Sequence, residues 1–343
     1  MNKKTDTSNA ISENIKHESN SGKILDIISR FGVYAILILL IVVGTFVNTK
    51  FFSIGNFKNI IQAGAFLGIL CSGMAFITYS GNFADMSSPI TMALSGIITI
   101  SCIGLGIVPA LLIGIAAGLL VGLINGIVIG KFKANPIIWT LAMNFVVSGI
   151  IRWAYSNKQI YPDVVSGGTV AGEIFESISR TYVLGLPISV FVMLGMLLLG
   201  QFILSKTRYG KQLKIIGSNM ETAKLTGINV SRNIIIAYLF ASLAASIAGI
   251  FVTSFGKVGA YYNGEGYDFR AVTAIVIGGM TLSGGRGNMV GVLGGVLTIG
   301  ILSNIMTFIG IGTFEQQIVT GAIFILIVWI NSNSLRKLGR DDA

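Results

Sequence analysis

The sequence is poor in the residues that most enzyme active sites and metal centres use. It contains one histidine, His17, and two cysteines, Cys71 and Cys102, each inside an apolar run. Two separated cysteines make neither a disulfide framework nor a metal site, and a lone histidine excludes a zinc or haem centre built on imidazole. Charge is scarce: Asp, Glu, Lys and Arg make up 11% of the chain, against about 25% in a typical globular domain. A phosphate-binding loop is missing as well. The nearest match, GQFILSKT at 200–207, has Ser205 where the loop needs glycine, and it ends an apolar run instead of following a strand. Any nucleotide site must therefore lie on another polypeptide. Proline is rare, with 5 residues, whereas glycine reaches 44. Abundant glycine without a three-residue period excludes collagen and suits closely packed membrane helices.

What is there is apolar. Hydrophobic residues make up 53% of the chain and the mean hydropathy is +0.79. A soluble fold could not hide that much apolar surface, so the fold class expected is all-α, integral to a membrane. Ten apolar segments stand out, at 31–47, 57–79, 89–103, 107–130, 136–155, 183–204, 233–254, 271–283, 289–310 and 316–331. Alternating them from a cytoplasmic N-terminus puts the bulk of the lysines and arginines inside, among them Lys131, Lys133, Lys206, Arg208, Lys211, Lys214 and Lys224. Both termini are then cytoplasmic, and the expected localisation is multi-pass in the cell membrane. The net charge of +10 is dispersed between apolar segments and does not point to nucleic acid. The first thirty residues are polar, without the apolar core of a cleavable signal, and read as a cytoplasmic tail. The expected organisation is a tail at 1–30, a transmembrane domain at 31–335 with a cytoplasmic loop at 205–232, and a tail at 336–343.

Glycine spacing suggests a repeat. Gly114, Gly118, Gly122, Gly126 and Gly130 recur every fourth residue in the fourth segment, as do Gly287, Gly291 and Gly295 at the start of the ninth. The third and eighth segments are both short for a membrane crossing. Two five-helix halves, inverted relative to each other, would give this pattern. Chance spacing of an abundant residue is the alternative.

One stretch is out of character: IGSNMETAKLTGI at 216–228. Ser218 and Glu221 have the spacing of a capping box, and Gly227 is placed to stop a helix in the left-handed conformation. A two-turn helix over 219–226 is expected, on the cytoplasmic side. So short a helix is marginal alone, so either a partner holds it or it is a solvated loop with an incidental cap.

From about residue 50 onward the chain resembles the permease subunits of sugar-type ABC importers, the ribose and autoinducer-2 permease family of branched-chain-type, binding-protein-dependent permeases. TRYGKQLKIIGSNMETAKLTGINV is similar to that family's cytoplasmic coupling loop, with Gly217, Asn219, Ala223, Gly227 and Ile228 at its core positions. AIVIGGMTLSGGRGNMVGVLGG resembles its late glycine-rich signature, and GLINGIVIGKFKANPIIWTLAM a third motif. The resemblance implies that Gly217, Ser218, Asn219, Glu221, Ala223 and Gly227 couple the permease to a cytoplasmic ABC ATPase. It also implies an extracytoplasmic solute-binding protein and a second permease subunit, identical or closely related. No cofactor and no metal are expected, and the chain itself is a transporter subunit, not an enzyme. One stretch departs from the family pattern: SGNFADMSSPITMALSG has Pro89 near a usual glycine.

In that stretch Asn82 and Phe83 can hydrogen-bond and stack on a passing sugar, with Asp85 beside them; the alternative is plain helix entry, with Ser88 as cap and Pro89 in the first turn. Thr281 and Ser283, followed by Gly284, Gly285 and Arg286, form a second break, where Arg286 reads more simply as a positive-inside anchor. Asn125 and Asn144 lie inside apolar segments. Hydrogen bonds to a neighbouring helix are the ordinary reason for that, and pore lining is the other. The substrate-path candidates are therefore Asn82, Phe83, Asp85, Asn125, Thr281 and Ser283. The loops 156–182 and 255–270 fit either aromatic belting or a docking face for the binding protein. A gradient-driven secondary carrier is the alternative function. None of the ten segments contains Asp, Glu or His, which disfavours proton coupling but leaves carbonyl-built sodium sites open. A membrane enzyme would need clustered His, Cys or carboxylates, and the sequence has none.

Overall fold

The computed structural model describes residues 33–338, with side-chain surroundings as far as residue 329. The expected tail at 1–30 and His17 lie outside these residues, as does the end of the second tail. The chain folds into α1 (Val33–Val47), α2 (Ile54–Tyr79), α3 (Ser88–Ser101), α4 (Ile107–Gly130) and α5 (Pro136–Ala154). Two short helices, α6 (Pro162–Ser166) and α7 (Val170–Ile178), and a hairpin of two-residue strands, β1 (Tyr182–Val183) and β2 (Leu186–Pro187), follow. Then come α8 (Ile188–Lys206), α9 (Arg208–Ser218), α10 (Met220–Leu225), α11 (Val230–Gly256), α12 (Tyr267–Ile277), α13 (Met289–Phe308) and α14 (Thr313–Leu338). Six of these, α2, α4, α5, α8, α11 and α13, are long and apolar enough to cross a membrane; α1, α3 and the apolar part of α14 are shorter.

The centre is an antiparallel pair. Phe66, midway along α2, stacks on Phe251 near the end of α11, with ring centroids 6.3 Å apart. Phe76, near the end of α2, stacks on Phe240 of α11 at 4.8 Å. Most of α2 is buried, whereas α5 is mostly exposed. Large apolar side chains such as Phe145, Leu198 and Phe202 point outward, as they do where the solvent is lipid.

Glycine spacing now has its packing reason. Along α4, Gly118 and Gly122 face Ser246 and Ser242 of α11, Gly126 and Gly130 face Ile235 and Ser231, and Gly114 faces Thr99 of α3. A Cβ at any of these would overlap its neighbour, so helix backbones meet through small residues. On α13, Gly291 and Gly295 pack in the same way against Gly278 and Ala274 at the end of α12. The valine of the same helix, Val296, sits on Gly68 of α2. Thus α4 packs on α3 and α11, and α13 packs on α12 and α2.

Helices α3 and α12 begin close together and run to opposite ends of the bundle. Gly264, three residues before α12, lies directly against Pro89 at the start of α3. From there α3 runs to the end where Ser101 Oγ meets Tyr155 OH at 2.7 Å. In the other direction α12 ends at Gly278, against the first turn of α13. The loops before them, 80–87 and 257–266, therefore fold back into the bundle.

Several expected boundaries move. The segment expected at 183–204 starts as a helix only at Ile188, because Leu184 and Gly185, with φ of +50° and +80°, turn the chain into the hairpin first. The segment expected at 271–283 is an 11-residue helix over Tyr267–Ile277, stopped by the paired glycines 278 and 279. The expected cap of α3 also shifts. Ser88 is already helical and Ser87 is the cap residue, but without a capping bond from its side chain. Its hydroxyl is 2.5 Å from an Asp85 carboxylate oxygen and donates there instead. The first residue of the helix, Ser88, is left with a buried hydroxyl that has no partner among the described residues.

Candidate functional site: a coupling helix and a break in the bundle

The out-of-character stretch is a helix, though not the one expected. α9 runs on through Ser218, so Ser218 is not a cap; the chain turns extended at Asn219, with φ −160° and ψ 109°. The Asn219 side chain takes the capping role, its Oδ1 accepting from Thr222 N at 3.0 Å. The capping box fails because Leu213 and Ile216 are buried and hold the preceding residues helical. Glu221, one turn in, pairs with Lys224 at 2.6 Å on an open surface. That hydrogen bond and the Lys224 charge hold the Glu221 carboxyl below its ordinary pKa. Gly227 does stop the helix in the left-handed conformation, with φ +74°. Gly227 N donates to Lys224 O at 3.0 Å and Ile228 N to Ala223 O at 3.1 Å, the paired bonds of a Schellman ending. Ala223 is the one wholly buried residue of α10.

The root of this helix is held by backbone. Gly217 lies so close to the Tyr79 carbonyl and to Gly285 N that a side chain there would overlap both. Gly285 N donates to Tyr79 O at 2.9 Å. Gly284, with φ +86°, lies against both Gly81 and Gly217. Three separate segments thus meet within van der Waals contact: the end of α2, the end of α9, and the loop before α13. Only glycine allows so close an approach. Ser283 reaches this junction through its carbonyl, which faces Gly81, and Thr281 bonds within its own loop, to Gly284 O at 3.0 Å. Gly284, to which Thr281 is bonded, is the residue of this loop that lies against Gly217.

Asn82 also borders α10. It is buried, donates to Ser80 Oγ at 2.8 Å, and lines a cavity of about 870 Å³ together with Lys133, Met220, Lys224 and Gly227. Phe83 is half-buried and sets its ring edge-on to Phe324 of α14, 6.1 Å away; Phe269 of α12 meets Phe324 from another side at 5.7 Å.

Asp85 and Asn125 join a closed network. Ser87 N donates to Asp85 Oδ1 at 2.8 Å, Asn125 Nδ2 donates to Ser87 Oγ at 2.8 Å, and Trp139 Nε1 donates to Asn125 Oδ1 at 3.0 Å. Beside it, Met86 N donates to Thr140 Oγ1 at 3.0 Å. The folded-back loop is thereby tied to α4 and α5. Trp139 and Thr140 are not among the site residues expected from the sequence. Their signal was present in the motif PIIWTLAM, where two groups able to hydrogen-bond adjoin in an apolar segment.

Among the described residues no group of His, Cys, Asp and Glu is arranged to hold a metal ion. A second cavity, of about 460 Å³, lies by the Pro89–Gly264 contact and is lined by residues of α5 and of the loop 257–266. That loop touches the start of α3 through Gly264, while its Tyr262 stays exposed.

Comparison with known proteins agrees with this architecture. The family model described as the permease component of the branched-chain amino acid transport system matches residues 56–328. The ribose import permease protein of Bacillus subtilis (strain 168) is 32% identical, over 89% of this chain and 93% of its own. The ribose import permease protein of Escherichia coli (strain K12) is 30% identical over 87% and 92%, and the L-arabinose transport system permease protein of the same organism 32% over 91% and 92%. No solved structure matches the chain. These likenesses favour an ABC importer permease over a secondary carrier. With bundle, motifs and relatives in agreement, the chain belongs to the branched-chain-type permease-component family: it is a multi-pass subunit of the cytoplasmic membrane that serves an ABC importer, and it is not an enzyme.

Proposed function

We propose that this chain carries a sugar or sugar-like small molecule of the ribose type inward across the cytoplasmic membrane, driven by ATP hydrolysis on a partner ATPase. The named relatives import ribose and arabinose. An extracytoplasmic binding protein delivers the solute, and two permease subunits, identical or closely related, enclose the passage. Ten passes arranged as two inverted five-helix halves are supported by the repeated packing, α4 on α3 and α11 answered by α13 on α12 and α2. The basic residues favour cytoplasmic termini, with the membrane domain at 31–335, the coupling loop at 205–232 and tails at 1–30 and 336–343.

The observation that carries this reading is α10: a six-residue helix, capped at both ends, with one buried residue. Its own chain does little to hold it, so it has the form of a surface made for a partner. Gly217, Ser218, Asn219, Glu221, Ala223 and Gly227 make up the coupling site, and the three-segment junction passes its displacement to the breaks at 80–87 and 278–288. Asn82, Phe83, Asp85, Asn125, Thr281 and Ser283 belong to the moving path that those breaks border.

The test is uptake of labelled sugar by proteoliposomes holding the permease, its ATPase and its binding protein. Uptake should follow ATP, and Glu221→Lys should abolish it while leaving the permease fold intact, since the Glu221 side chain is largely in solvent. Transport that continues without the ATPase, collapses with an ion gradient and ignores Glu221→Lys would overturn the reading.

A further inference from the structure

One helix carries a polar line that the fold does not use up. In α5, Thr140, Asn144, Ser148 and Arg152 follow one another at four-residue steps through an otherwise apolar sequence, PIIWTLAMNFVVSGIIRWA. Residues four apart stack on one helix face. At about 1.5 Å per residue the line is about 18 Å long, more than half of a hydrocarbon core of about 30 Å.

The four differ in what they meet. Thr140 is buried and receives Met86 N, which fixes the folded-back loop. Arg152, at the other end, lies over the Tyr261 ring with its guanidinium 4.1 Å from the centroid. Between them, Asn144 and Ser148 have no side-chain hydrogen bond to any described residue, and both open into the 460 Å³ cavity. The contrast with Asn125 is sharp. That asparagine, also inside an apolar helix, has both ends of its amide satisfied. The polar ends of Asn144 and Ser148 instead face the cavity, where water or a solute can satisfy them.

The cavity has the groups to hold a solute. Asn144, Ser148 and Arg152 offer donors from α5, Glu265 and Asp268 offer acceptors from the loop 257–266 and the start of α12, and Tyr261 offers an aromatic face. Pro89 and Ile90, where α3 begins, complete the lining. Mixed donors and acceptors around an aromatic face suit a neutral, hydroxyl-rich solute better than an ion. We infer that the line Asn144–Ser148–Arg152, facing Tyr261, Glu265 and Asp268, is a binding site for a polyhydroxylated solute such as a monosaccharide, reached before the solute passes the Pro89–Gly264 contact. This rests on the import reading above.

The test uses the complete importer in proteoliposomes. Asn144→Leu combined with Ser148→Ala should lower sugar uptake about tenfold, the loss of about one good hydrogen bond. The double variant should still assemble with the ATPase and elute as a single species in size-exclusion chromatography. Asn144→Gln should retain most uptake, and Val146→Leu, on an exposed face of α5 that does not line the cavity, should be silent. A second measurement is independent of transport. With Cys71→Ala and Cys102→Ser in the background, Ser148→Cys should react with a membrane-impermeant thiol reagent, and the sugar should slow that reaction. Undiminished uptake by the double variant, or a Ser148→Cys that stays unreactive, overturns the site. A failure of the unmodified complex to take up sugar with ATP would instead overturn the import reading, and the thiol reaction would still report whether the cavity is wet.

Discussion

The α4–α11 seam and the α10 helix are opposites within one chain. The seam runs the length of two long helices, with glycine facing serine at successive turns and backbones in contact. The α10 helix has six residues, one of them buried, and is kept helical by an asparagine cap and a left-handed glycine. The seam gets its stability from its own chain, because small residues line it and no large side chain separates the backbones. The α10 helix gets its shape from its ends and leaves its surface free. On the function proposed above, the seam is the body that does not yield and α10 the handle that a partner grips.

The sharpest way to break this contrast is to spoil the seam system itself. Gly122 of α4 lies against the Ser242 side chain and the Tyr238 carbonyl of α11, where a Cβ would overlap both. Gly122→Val should destabilise the fold by about 3 kcal/mol. It should show as early loss of monodisperse protein on heating in detergent, whether or not the ATPase is present. A tolerated valine would mean that the seam is not rigid. The handle should respond more mildly. Asn219→Ala removes one cap, worth about 1 kcal/mol, and should speed hydrogen exchange at 220–225 about fivefold without changing the thermal behaviour of the bundle. Adding the ATPase should restore most of the protection. The smallest effect belongs to Glu221→Gln. The carboxyl pKa is lowered by Lys224, so the pair contributes fully at neutral pH and loses its contribution only as pH falls through that lowered value. Exchange at 220–225 should therefore change less than in Asn219→Ala. The difference in exchange between the unmodified protein and the Glu221→Gln variant should be flat from about pH 5 to 8.

The sequence made some of this legible and hid the rest for physical reasons. Long apolar runs marked α2, α4, α5, α11 and α13 to within a few residues, because composition alone determines whether a helix can sit in lipid. The glycine series at 114–130 marked a contact surface but not its partner, since spacing records a face and not what meets it. Gly227 was readable because few residues tolerate its backbone angle. Ser218 was misread because the capping-box pattern is local, while the burial of Leu213 and Ile216 that extends α9 is tertiary. The grouping of Asp85, Ser87, Asn125 and Trp139 joins three separate stretches of chain, and no short window contains it. Phe324 was silent for the same reason: one aromatic among many, it is distinguished only by standing between Phe83 and Phe269.

The contact between Pro89 and Gly264 has a last consequence. Two chain segments far apart in sequence touch there, backbone to backbone, with no side chain between them. A side chain at Gly264 would overlap the Pro89 carbonyl, so the start of α3 and the loop before α12 can lie this close only while that glycine is kept.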